Sequence, residues 1–173
     1  MSKIQINRLT NANIYMDGNN LLGRAEEIQL PQIKHRMAEH KALGMIGSAE
    51  FFSGIDKLEC KIKWNSLYPE VLRKAANPFK TIQLQARASL ETYNSMGKLA
   101  DAPAIAYLSG TFKEFPLGNI KAGDNAEYET TLAVNYAKLI VQGEEIFEVD
   151  ILENIYKVGS VDILQDYRNN IGA

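Results

Sequence analysis

The chain is predicted to be mainly β: one antiparallel sandwich or barrel-like domain spanning residues 1–173, with one flanking α-helix and a long protruding loop. Three observations predict this. The first is strict alternation in "TIQLQARASLE", residues 81–91. There Ile82, Leu84, Ala86, Ala88 and Leu90 fall on one side, and Thr81, Gln83, Gln85, Arg87, Ser89 and Glu91 on the other. A period of two is the mark of a strand with one buried face. The second is a further alternating run, "KLECKIKW", which sets Leu58, Cys60, Ile62 and Trp64 against Lys57, Glu59, Lys61 and Lys63. The third is turn chemistry, rather than helices, between the strand-like runs, which points to a sandwich or barrel rather than a βαβ repeat.

Taken in chain order, "ANIYMDG" and "AEEIQLPQI" flank "DGNNLLG" and predict a hairpin turning at Asp17-Gly18. Residues 32–54 follow neither period and predict a loop of about twenty residues, a length that is usually functional or disordered in a compact domain. Its Met and Phe content argues against permanent disorder. Apolar side chains on such a loop suggest a partner surface, with Met45, Ile46, Phe51 and Phe52 as the contacts. "SLYPEVLRKAAN" predicts a helix, with Ser66 as N-cap, Pro69 in its first turn and a stop at Asn77-Pro78. After residues 81–91 come "AIAYLSGTFKEF" and then "AEYETTLAVNYAKLIV" and "EIFEVDIL". The last two are joined by a tight hairpin at Gly143, which accepts positive φ. "SVDILQDYRNN" predicts a short amphipathic helix closed by Gly172. Six or seven strands result.

Composition bounds the function. The chain has 173 residues, 46% of them hydrophobic and 23% charged, with a formal net charge of −2. A dedicated nucleic-acid binder would need a basic surface. Cys60 is the only cysteine, so no intramolecular disulfide forms and a reducing cytosol is the expected setting. No run approaches the ~18 apolar residues of a membrane span, and the start lacks a signal-peptide core. A soluble, cytoplasmic domain without a membrane anchor is expected.

No catalytic constellation emerges. His35 and His40 are five residues apart without a third ligand, which suits two solvated imidazoles better than zinc. Cys60 sits on the apolar side of its strand, as a buried inert thiol would. "LGMIGS" lacks the Lys-Ser/Thr ending of a phosphate loop, and "MDGNN" lacks the remaining ligands of a calcium loop. No enzyme, cofactor or metal is expected. Glu144, Glu145, Glu148 and Asp150 gather acid around a turn, where a solvated edge is the default reading and a contact for a basic partner the alternative.

The order of several short motifs is more specific than any one of them. "NANIYMDGNNLLGRAEEIQLPQI", "EHKALGMIGS" and "GIDKLE" resemble the first half of the major tail tube protein of contractile-tailed bacteriophages, a family that includes the R-type pyocin tube. The second half is similar almost motif by motif. It has Lys121-Ala122-Gly123-Asp124 with Ala126-Glu127, then Glu148-Val149-Asp150, then Gly159-Ser160-Val161-Asp162 through Arg168 to Ile171-Gly172.

The resemblance implies a structural subunit without cofactor. Hexameric rings of it would stack into a conduit inside a contractile sheath, for DNA passage in a phage or membrane puncture in a headless tailocin. Its implied partners are further copies of itself, the tail sheath protein, baseplate and tail terminator proteins, a tape measure protein during assembly, and passing DNA. Its implied location is the virion tail, with assembly in the host cytoplasm. On this reading Thr81, Gln83, Gln85, Arg87, Ser89 and Glu91 are channel-lining candidates. Met45, Ile46, Phe51 and Phe52 are ring-stacking candidates, and Glu144, Glu145 and Glu148 are sheath-contact candidates. The competing expectation is a carbohydrate- or peptide-binding β-sandwich whose groove is the same polar face.

Overall fold

A computed structural model describes residues 4–173. The elements are β1 (Ile6–Met16), β2 (Asn19–Asn20), β3 (Ala25–Gln29), β4 (His35–His40), β5 (Ala49–Ile55), β6 (Leu58–Trp64), α1 (Pro69–Ala75), β7 (Ile82–Asn94), β8 (Gly97–Glu114), β9 (Tyr128–Val141), β10 (Glu144–Asp150), β11 (Ile155–Val158), β12 (Val161–Asp162) and α2 (Gln165–Ile171). The main sheet is antiparallel throughout, in the order β12-β11-β10-β9-β8-β7-β1-β2. Strand β9 is a fork. Its far edge from β8 pairs β6 over Tyr128–Val134 and β10 over Tyr136–Val141. The register of β8 on β9 shifts at the fork, and Gly110 lies there. A Cβ on Gly110 would come within 2.1 Å of the Ala133 carbonyl oxygen, so only glycine lets the two backbones approach.

Alternation decides which face is buried. Ile82, Leu84, Leu108, Leu132 and Val134 all turn inward, and Leu58, Cys60, Ile62 and Trp64 of β6 meet them in the same core. Helix α1 closes it with Val71 and Ala75. The indole Nε1 of Trp64 donates to Thr130 Oγ1 at 3.0 Å, which satisfies both polar groups inside. Cys60 is fully buried, and burial pushes its thiol pKa up to about 12, so it packs as an inert apolar side chain. The β9–β10 turn carries positive φ at both Gln142 and Gly143, the geometry that matches the twist of the flanking strands.

Among the described residues, twelve strands stand where six or seven were expected, because short edge strands and exposed strands carry no long alternating run. The structure corrects four further expectations. The hairpin across "DGNNLLG" exists only as two pairs, Tyr15 with Asn20 and Met16 with Asn19; β3 instead crosses to β6. Leu21 is buried just after β2, which commits the chain to the core and away from β1. The aperiodic stretch is not a loop of about twenty residues but a separate two-stranded sheet, β4 with β5, so the connecting segment shrinks to residues 41–48. Tyr68, not Ser66, is the N-cap of α1, because Pro69 takes the first helical position; no side chain caps it. Finally, β8 begins at Gly97, well before the expected "AIAYLSG", and forms a long arm with β7.

Candidate functional site

Opposite the core lies a polar face that crosses the whole main sheet. Strand register aligns one row over seven strands: Tyr15, Gln85, Tyr107, Lys138, Glu148, Lys157 and Asp162. A neighbouring row holds Asn13, Arg87, Ile105, Ile140 and Glu145, and another Gln83, Ser109 and Tyr136. The channel-lining candidates Gln83, Gln85, Arg87, Ser89 and Glu91 therefore share one face of β7, and Thr81 lies just before that strand. A depression of about 610 Å³ opens on this face between Tyr15, Gln83, Gln85, Tyr107, Tyr136 and Lys138.

Most charges on the face cancel in place. Lys157 Nζ lies 3.0 Å from Glu148 Oε2, Tyr136 Oη donates to Glu148 Oε1 at 2.9 Å, and Lys138 Nζ lies 2.8 Å from Glu145 Oε2. Arg168 of α2 reaches back to grip Asp162 with two bonds, at 3.2 and 2.5 Å. Burial alone would raise the Glu148 pKa; the bonds from Lys157 and Tyr136 and the charge of Lys138 outweigh it and hold the pKa below the ordinary value. The Arg168 bonds do the same for Asp162. Burial, and then the Glu148 carboxylate, drive the Tyr136 phenol upward. Fixed pairs of this kind leave a polar face on which most charges are already paired.

The lysine-rich face of β6 follows the same rule. Glu59 pairs with Lys57 at 3.1 Å and with Lys113 of β8; Lys61 lies 3.8 Å from Glu129; Lys63 lies 3.3 Å from Glu26 and 3.1 Å from Glu127. Glutamates from β9, from β3 and from the segment preceding β9 thus neutralise lysines that look unbalanced in sequence.

The acidic turn divides. Glu145 and Glu148 stand in the polar rows with Gln85 and Arg87 and are tied to lysines, whereas Glu144 is exposed and alternates to the other side. A single surface cannot both line a bore through Gln85 and meet an outer sheath through Glu148. Sequence reasoning missed this because it treated the three carboxylates as one cluster. It also missed Tyr15, Tyr107, Lys138 and Lys157, whose signal was the alternation in "ANIYM", "AYLSG", "NYAKLIV" and "IYKV".

The β4–β5 hairpin stands apart from the main sheet. All six residues of β4 are exposed, as are Phe51 and Phe52, while Met45 and Ile46 project from the connection, Ile46 completely. Its root is anchored: His35 Nε2 and Tyr156 Oη lie 2.9 Å apart, and Phe52 meets the His35 ring edge-on at 5.5 Å. His35 is therefore a structural contact, and among the described residues no group of three or more His, Cys, Asp or Glu is placed to hold a metal. No described helix is long and apolar enough to cross a membrane.

Comparison with known proteins gives consistent results. The family model described as phage tail tube protein FII matches residues 6–172. The chain is 26% identical over 164 residues to the tail tube protein of Escherichia phage P2, covering 92% of this chain and 94% of that one. It is 21% identical over 155 residues to the major tail tube protein of Serratia phage KSP20, covering 88% of each. Among solved structures, a chain of the sheath–tube complex of an extracellular contractile injection system (PVC) in its extended state superposes with a TM-score of 0.55. That match has 12% identity and covers 76% of this chain and 87% of that one. A chain of the sheath/tube terminator of the same system gives 0.54 at 12% identity, covering 76% and 92%. These two likenesses establish a shared fold.

Proposed function

The chain belongs to the phage tail tube protein FII family and is a tail tube protein of contractile tails, and from that premise we propose that it assembles as hexameric rings, stacked into a hollow tube, with the polar sheet face lining the bore. The observation that carries this reading is the row of polar side chains running unbroken over seven strands while the opposite face is core. The main path of that sheet ends at two edges, the stretch of β1 before its short pairing with β2 and β12 at the far end, while β3 forms a third edge off the path beyond β6. Exposed edges invite pairing with another chain, and a ring of head-to-tail copies pairs the two ends of the main path with each other. Strand alternation then gives a large barrel a polar lumen and an apolar outer layer covered by the rest of each subunit.

Charges that are already paired give passing DNA few places to stick, which suits a conduit. The exposed hairpin supplies the ring-to-ring contact through Met45, Ile46, Phe51 and Phe52. For the sheath, the arrangement favours Glu144 alone, since Glu145 and Glu148 belong to the lumenal rows. Terminator, baseplate and tape measure proteins would meet the tube at its ends and inside it, in a tail assembled in the host cytoplasm.

Electron microscopy and light scattering of the purified chain at rising concentration test the reading. Rings, filaments or tubes are expected. A chain that stays strictly monomeric at every concentration would point instead to a carbohydrate- or peptide-binding β-sandwich.

A further inference from the structure

We propose that Arg87 is a phosphate-contact site, a guanidinium held on the polar face to touch the phosphodiester backbone of nucleic acid moving along it. The proposal rests on the reading of that face as the wall of a bore. Among the described residues, Arg87 alone of the cations on strands β6 through β11 has no carboxylate within ion-pair distance. It is also exposed.

Arg87 is nevertheless held in place, by neutral partners. Its Cζ lies 5.2 Å from the centre of the Tyr15 ring. Turned so that its oxygen meets the surrounding donors, the Gln85 amide accepts from Arg87 Nε and Nη2, both at 3.2 Å, and from Tyr107 Oη at 3.1 Å. Stacking and amide bonds fix the direction of the fork without cancelling its charge. The other nitrogen of the fork, Nη1, takes no part in these bonds. A planar cation with free donors matches phosphate oxygens, which accept such bonds strongly. Asn13 stands opposite Arg87 in register, and both line an open hollow with Thr10, Ser89, Pro103 and Asp101, the last a carboxylate already paired with Lys98 at 2.8 Å.

The contrast with the neighbouring strands carries the inference. Elsewhere on β6 through β11 the fold meets a cation with a carboxylate; at Arg87 it uses a phenol ring and an amide. In a hexameric ring the side chain repeats as a positive belt in every layer, beside a second arginine of the same face, Arg8, which stands opposite Glu91 in register. One contact per subunit grips a phosphate chain weakly and with strong salt dependence, as a sliding polymer requires.

The test assembles tubes in the presence of a short fluorescent single-stranded oligonucleotide and washes them in rising salt. Wild-type tubes are expected to retain the strand at low salt and to release it with a linear log–log dependence. Arg87→Gln tubes should release it at several-fold lower salt, with a slope reduced by about 0.7 for each phosphate the tube no longer touches. Arg87→Lys keeps the charge without the fork and should fall between them; it also serves if Arg87→Gln does not assemble. Variant tubes that hold the strand as wild type does overturn the proposal. Equal retention of fluorescent poly-glutamate by wild-type tubes overturns the phosphate assignment. Ser89→Cys separates this failure from failure of the underlying reading. A cysteine open to a bulky maleimide along the outside of assembled tubes means that the face does not line a bore, whereas protection together with an unaffected Arg87→Gln means that only the arginine contact is wrong.

Discussion

Strands β7 and β5 are both antiparallel and both hydrogen-bonded along their length, yet only one of them announces itself in sequence. In β7, buried Ile82, Leu84 and Ala86 alternate with Gln83, Gln85 and Arg87 because one face is core and the other is not. In β5, Phe51, Phe52 and Ser53 are exposed in succession, and its partner β4 is exposed at every position. No buried face imposes a period on the hairpin, so none is written in it. The difference teaches that period-two patterning reports burial rather than strand geometry. A strand with neither face in the core follows the rules of a surface.

That contrast predicts how the two regions respond to mutation. The largest effect belongs to the core behind β7. Trp64 is 2% exposed and bonded to buried Thr130. Trp64→Ala is expected to cost about 3–5 kcal/mol of subunit stability. Trp64→Phe keeps most of the packing but leaves the Thr130 hydroxyl without its donor, for about 1–3 kcal/mol. Urea unfolding of the unassembled subunit measures both. If neither midpoint moves, the β6–β9 core is not what holds the fold.

An intermediate effect comes from the polar rows and is read through pH. Glu148 and Asp162 have pKa values held below their ordinary positions by Lys157, Tyr136 and Arg168. A depressed carboxylate pKa contributes stability that is fully present above the unfolded-state value, near 4. That contribution is lost as pH falls through the lower folded value. Thermal midpoints should therefore be level down to about pH 5 and drop below it. Glu148→Gln should start lower and flatten that drop. An equally steep acid decline in the variant would mean that the row is not coupled to folding.

How much is legible in the sequence follows from the same physics. The core face of β6 and β7, helix α1, the Gly143 turn and the Gly172 stop to α2 are all readable, because each is decided by residues close in sequence. The polar row is readable only in pieces. Gln85 and Arg87 show themselves, but their partners Tyr15, Tyr107 and Lys138 come from strands far along the chain, and only register brings them together. The acidic turn misleads as one cluster because alternation sends Glu144 and Glu145 to opposite faces. The β4–β5 pairing is invisible, since exposed strands carry no burial pattern, although the apolar character of Met45, Ile46 and Phe51 points to a contact surface.

The smallest effect on the subunit should be found in the hairpin, and it sharpens the comparison most. Phe51→Asp with Phe52→Asp removes two aromatic rings, a change that would be ruinous on β7. Here both side chains are more than two-fifths exposed, at 58% and 44%, and neither belongs to the core. Phe52 gives up its edge contact with His35 and its place in the hollow it lines with Ile55, Val149 and Tyr167. Surface changes of this kind usually stay within about 0.5 kcal/mol each, so the urea midpoint should barely move. Assembly should behave in the opposite way. If these rings bury themselves in the next layer, each contributes roughly 1.5–3 kcal/mol there, repeated around the ring, and replacing them with carboxylates adds the cost of burying charge. The double variant is expected to fold, with an unchanged near-ultraviolet signal from buried Trp64, and to stop short of tubes in negative-stain micrographs. Single rings that no longer stack would locate the contact between layers. Normal tubes from a normally folded double variant would show that the hairpin, for all its exposed apolar surface, does not join one ring to the next.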